Sequence, residues 1–310
     1  MAEILYLDQN AWVSLARGAW DKASYPHDHT RLVKVVEALQ QNRFILPLSF
    51  ANIYETSKIN DPVRRANIAR TQVTLSKGHV FRGRRRILGD TLNAYLADRF
   101  TIPRTPMEEH WFLSDLWFES VADYSPDTFG FRLSQALLEY MRTNSASVLF
   151  DYLTANDEDV RLEGVKRFTA GSADLIARIE ARRAIAASGS LALRKRAYGA
   201  HLMIDELDFI LETGRRLGLD WTDVRKIDAS LARGIVADVP ILATERELAV
   251  RLEDQARPID ANDLRDMSAF AIVLSLADIV IGEKPFINLA RQARLDKAYG
   301  TRLLTSIDEL

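Results

Sequence analysis

The sequence predicts an α/β protein: a parallel sheet with helices on both faces, interrupted by a mostly α-helical insertion. Three observations carry that expectation. Short apolar runs near both ends of the chain (ILYL, FILPL, IVI) alternate with segments of helical period, the pattern of strands buried on both faces. Caps and turn residues fall between these runs. The middle of the chain loses the alternation and reads as successive amphipathic helices.

Taken in order, residues 3–7 form the first strand. A short helix follows, with Trp12, Leu15 and Ala16 on one face and Gly18 at its end. ASYPHDH is a loop, TRLVKVVEALQQN a helix, RFILPLS a second strand and FANIYETSKI a helix. Asp61 caps the next helix, with Pro62 at its first position, and that helix reaches Gly78. RGRRRILGDTLNAYLADRF is mostly helical and opens on an arginine cluster. From 104 to 235 the chain is helix-rich, with aromatics in EEHWFLSDLWFESV, amphipathic stretches such as AGSADLIARIEARRAIAA, and a turn at ASGSL. The α/β style then returns. VADVPILAT reads as a strand, ERELAVRLEDQ as a helix, and DANDLRDMSAFAIVLSLA as a capped helix. DIVIG is a buried strand, EKPFINLARQARLDKAYG one helix closing on Gly300, and TRLLTSI a last strand. The division is a discontinuous α/β domain, 1–103 and 236–310, around a helical subdomain, 104–235.

Composition excludes several classes. The chain has 310 residues, 47% hydrophobic and 27% charged, as in a soluble globular protein. With no cysteine there is no disulfide and no thiolate metal site. A net charge of −2 does not mark a bulk-basic nucleic-acid binder. The first ten residues lack a basic n-region, and MSAFAIVLSLADIVIG, the longest apolar stretch, is too short to span a bilayer and contains Asp278. The expectation is a cytoplasmic protein with no membrane partner. Neither Gly-rich phosphate-loop pattern occurs. DQNAW after the first strand lacks the second aspartate that an aspartyl hydrolase needs.

Acids gather at predicted strand ends, where open α/β sheets bind ligands. Asp8 follows the first strand. Glu55 lies in the helix after the second, and Asp263 and Asp266 sit one helical turn apart. Asp278 precedes IVI and Glu283 follows it. Such carboxylates repel one another unless a divalent cation joins them, and hard oxygen donors suit Mg²⁺ or Mn²⁺. Each also has an ordinary role: Asp8, Asp260 and Asp263 as helix caps, Glu55 on a solvated face, Asp278 in a turn, Glu283 in a first helical turn.

YLDQNAW, LPLSFANIYET and NDLRDM…LADIVIGEKPF together resemble the PIN-like nuclease family over about 1–100 and 236–310, leaving 104–235 outside the likeness. The resemblance implies a parallel-sheet α/β fold whose acids hold Mg²⁺ or Mn²⁺ and hydrolyse RNA phosphodiester bonds. It implies Asp8, Glu55, Asp266 and Glu283 as catalytic metal ligands, with Asp263 and Asp278 as additional acids and Asn10 and Ser49 as supporting polar groups. The sequence departs from the family in having Glu at 283 and Gly at 282. The implied function is a metal-dependent endoribonuclease, in the manner of a toxin or defence effector. Its partners would be RNA and an inhibitor protein or a second copy. Arg82, Arg84, Arg85 and Arg86 form the cationic patch expected to meet phosphates, with RKR at 194–196 a weaker one. The alternative is a non-catalytic nucleic-acid- or protein-binding scaffold on the same fold.

Overall fold

In the computed structural model, which describes residues 2–155, 176–177, 179–181, 183–184, 189–255 and 257–310, the strands are β1 (Glu3–Leu7), β2 (Phe44–Ile45), β3 (Val80–Phe81), β4 (Leu113–Ser114), β5 (Ile279–Ile281) and β6 (Arg302–Leu304). Four of them form one parallel sheet in the order β2-β1-β5-β6, and β3 pairs antiparallel with β4. The first helices are α1 (Gln9–Trp20), α2 (Pro26–Gln40), α3 (Phe50–Ser57), α4 (Pro62–Ser76) and α5 (Arg84–Arg99). The middle of the chain supplies α6 (Pro126–Phe129), α7 (Gln135–Thr143), α8 (Ser145–Thr154), α9 (Leu191–Asp205), α10 (Leu207–Arg216) and α11 (Ala229–Asp238). Four more complete the fold: α12 (Pro240–Glu253), α13 (Ala261–Val273), α14 (Lys284–Gln292) and α15 (Leu295–Tyr299).

The alternation of side chains along β1 divides the interior. Ile4 and Tyr6 enter one core with α5, α12 and α13, while Leu5 and Leu7 enter a second with α1, α2 and α4. β1 is central. The chain runs outward to β2 on one side and returns to β5 on the other, so the carboxyl ends of β1 and β5 flank the point where strand order reverses.

Sequence signals set the helix starts. Asp8 caps α1, Asp61 caps α4 ahead of Pro62, and Asp260 caps α13 through a reciprocal capping box with Asp263. Two expectations are corrected. VADVPILAT is not a strand: residues 229–238 and 240–253 are helices α11 and α12, the first capped by Asp228 and the second opened by Pro240. α12 is buried nearly all round, and an apolar run without periodicity fits such a helix as well as a strand. The last long helix also breaks in two, at Arg294 with φ 59°, between α14 and α15.

Residues 104–235 do not form a separately packed body. Leu149 and Leu153 of α8 share the core of Leu5 and Leu7, while Leu202, Ile210, Leu211 and Trp221 share that of Ile4 and Tyr6. The amphipathic stretch at 170–187 and the first part of ASGSL lie mostly outside the described residues. Ser190 caps α9.

Gly18 lies inside α1 rather than at its end, where α2 crosses: a Cβ there would stand 2.4 Å from the backbone carbon of Asp28. Gly18→Ala must therefore push α1 from α2. It is expected to destabilise the fold by about 1–3 kcal/mol, read as a lowered midpoint in urea unfolding.

Candidate active site

Pairing of β1 with β5 (Leu5↔Ile279 and Leu7↔Ile281) brings the two ends of the chain together. The register continues past the strands, since the Asp8 N–H donates to the Ile281 carbonyl at 2.9 Å. Asp8 and Glu283 thereby share one sheet edge. Gly282 makes the approach possible from the third side: a Cβ there would meet the Phe270 ring of α13 at 2.6 Å. That helix carries Asp266.

Asp8, Asp266 and Glu283 lie within one another's electrostatic field. Burial, with repulsion from Glu283 and Asp8, raises the Asp266 carboxyl to about 8. Asp8 rises to about 6, again mainly through burial and opposed by N–H groups of Ala11, Asn10 and Glu283. The Ala11 N–H reaches Asp8 Oδ1 at 3.0 Å, so Asp8 is cap and cluster member together. Glu283 is exposed and accepts from Asn10 Nδ2 at 2.6 Å. An open cleft with about 560 Å³ of empty space runs from Asp8, Asn10 and Glu283 toward Ser14, Arg31 and Ser306.

The remaining expected residues fall elsewhere. Glu55 does not face the three acids; its Oε1 meets Arg265 Nε at 2.5 Å. Asp263 is nearly fully buried and committed: Arg257 grips both its oxygens at 2.5 and 2.7 Å, and the Asp260 N–H donates to it at 2.9 Å. Asp278 aligns with Ile4, whose N–H it accepts at 2.7 Å. That is four residues before Asp8 along parallel strands, about 13 Å away. Asp263 and Asp278 thus leave the ligand set. Ser49 caps α3 from behind β1, accepting from the Asn52 N–H while its own N–H donates to Asn52 Oδ1.

The arginine cluster is also corrected. Arg82 pairs with Glu119 and Asp123, Arg84 with Glu206 and Glu245, Arg85 with Glu206, and Arg86 with Asp90 and Asp123. Arg85 also stacks on Phe209, 3.7 Å from the ring centre. These cations tie α5 to the helical middle of the chain, and their geometry is that of structural pairs. In the second patch, Arg194 and Lys195 pair with Asp254 and Glu247.

Tyr6, Asn52 and Arg265 were not singled out by sequence. Buried Tyr6 lies within hydrogen-bond reach of Ser49, 3.4 Å between the oxygens, and feels both Asp8 and Asp266; burial first, then these charges, push its phenol up. Asn52 Nδ2 donates to the Leu7 carbonyl at 3.2 Å, fixing the strand end that carries Asp8. One signal was available: a tyrosine inside an apolar strand two residues before an aspartate.

The chemistry of this donor set fits a hard divalent cation, because it presents three carboxylates whose burial is uncompensated by a direct ion pair. Among the described residues, however, no group of three or more His, Cys, Asp or Glu side chains stands ready to hold a metal as placed. No helix among the described residues is long and apolar enough to cross a membrane. No protein-family model matches the chain, and no curated protein or solved structure matches it.

The raised carboxyls have a consequence for stability. The unfolded chain ionises these acids near their ordinary value of 3.8, whereas the folded chain retains the protons up to about 6 and about 8. Unfolding in that window releases protons, so these groups favour the fold most at low pH and the benefit is lost as pH rises toward 8. Asp266→Asn removes the larger part of this burden. It is expected to raise the melting temperature at pH 8 by more than at pH 5, as followed by circular dichroism. An equal or lower melting temperature at pH 8 would contradict the buried, repelled state of Asp266.

Proposed function

We propose that the protein is a metal-dependent endoribonuclease with a PIN-like site, hydrolysing RNA phosphodiester bonds at the carboxyl ends of β1 and β5. One observation carries this reading: Asp8, Asp266 and Glu283, from opposite ends of the chain, crowd the switch point of a parallel sheet and raise one another's proton affinity. Perturbed acids in a cleft are where chemistry is expected. Structural acids in this chain are instead matched to arginine, as Asp263 is to Arg257.

A divalent cation held there would supply Lewis acidity and a water of lowered pKa. Asp8, Asp266 and Glu283 are the residues that would hold it. The cap bond from Ala11 orients Asp8, and Asn10 orients Glu283. Ser49 and Asn52 keep Tyr6 and the end of β1 in place behind them. RNA would enter along the open cleft on the side of Ser14 and Ser306, whose hydroxyls suit phosphate oxygens.

A second reading, a non-catalytic scaffold, is favoured by the absence of a preformed ligand cage among the described residues and by the engaged arginines.

Asp8→Asn separates the two. Asparagine caps a helix as well as aspartate does, so the variant should fold with a near-native melting temperature while Mn²⁺-dependent cleavage of a single-stranded RNA falls to background. Undiminished cleavage by the variant would remove Asp8 from the site. A wild-type protein that binds RNA but never cleaves it with Mg²⁺ or Mn²⁺ supports the scaffold.

A further inference from the structure

Arg265 is the one cation built against this acidic edge. It sits on α13 beside Asp266, yet it turns to α3. Its side chain is only 7% exposed, with Nε 2.5 Å from Glu55 Oε1. The guanidinium also donates to the Asn262 side-chain oxygen and lies over the Tyr54 ring, 5.6 Å from its centre. It lowers the proton affinity of Asp266, opposing Glu283 and Asp8. Three contacts on a rigid, planar group are the hallmark of a held arginine rather than a solvated one.

Resting on the nuclease reading above, we propose that Arg265 is an internal competitor for the divalent cation: it occupies Glu55 and thereby sets how tightly the site takes up metal. The physical ground is charge and geometry together. Glu55 stands in the helix after β2, beside the acid-bearing helix, but its carboxylate is neutralised by a guanidinium at contact distance. A second cation near that carboxylate meets both the repulsion of Arg265 and the cost of parting the pair. Partial neutralisation of Asp266 by the same arginine weakens the pull of the other acids. Both effects act in one direction, toward weaker metal binding, and both vanish when the guanidinium is removed. The arrangement also accounts for the lack of a ready ligand cage: the fourth acid is engaged by a residue of the same chain.

Mn²⁺ binding to the full-length protein, read by electron paramagnetic resonance as loss of the free-ion signal, tests this without any activity measurement. Arg265→Gln is expected to bind Mn²⁺ about tenfold more tightly than wild type, a coupling of ordinary size between two sites. In the Glu55→Gln background the same substitution should give little gain, because the competition is over Glu55. Should Arg265→Gln fold poorly, Asn262→Ala, at an exposed position, loosens the arginine and should tighten binding by a smaller factor. If wild type binds Mn²⁺ and neither variant binds it more tightly, the competitor role falls while the metal site stands. If neither wild type nor the variants bind Mn²⁺, the metal reading falls and this proposal with it.

Discussion

Parallel pairing of β1 with β5 is the contact on which the rest depends. It joins residues 274 positions apart, and without it Asp8 and Glu283 have no common edge. The register is pinned at both ends of the pair. Asp278 accepts the Ile4 N–H at one end, and the Asp8 N–H donates to Ile281 at the other. A slip by one residue would turn Tyr6 into the core of Leu5 and Leu7 and remove it from the acids. Asp278, expected as a ligand, serves the site by holding the strands that carry it.

Charge is distributed unevenly over the molecule, and the unevenness is informative. The arginines that open α5, and those near Asp254, Glu247 and Asp263, each meet a carboxylate. Even Arg31, which lines the cleft, is engaged by Asp28 and Asp308. Asp8 and Asp266 alone combine burial with strongly raised carboxyls. A polyanion approaching that edge meets repulsion unless a cation intervenes. An acidic cleft and a nucleic-acid substrate are therefore compatible only through a metal, which ties the proposed cofactor to the proposed substrate.

Local signals in the sequence were sufficient for local structure. β1, the caps at Asp8, Asp61 and Asp260, and the buried face of Trp12 and Leu15 followed from residue type and spacing. What was illegible depended on partners distant in sequence. Four acids at strand or helix ends look alike in one dimension, yet Asp263 is gripped by Arg257 and Asp278 lies at the amino end of its strand. Arg265 sits in a run where a charged residue suggests solvent, and only the docking of α13 on α3 encloses it. The helices at 229–253 were misread because a helix buried all round has no polar stripe to reveal its period.

Asp8 shows why a cap and a working carboxylate need not be alternatives. Capping alone stabilises the charged form, since N–H groups at a helix start attract negative charge and depress the carboxyl's proton affinity. Here the net effect has the opposite sign: burial outweighs the three N–H groups, Glu283 adds repulsion, and the carboxyl rises to about 6. The cap therefore fixes where the carboxylate is, while desolvation leaves it short of positive charge. A carboxylate held rigidly and poorly solvated gains more from a cation than a free surface aspartate does, because it has less water to give up. The cap at the head of α1 is thus a positioning device for the site, and the same hydrogen bond serves both the fold and the proposed chemistry.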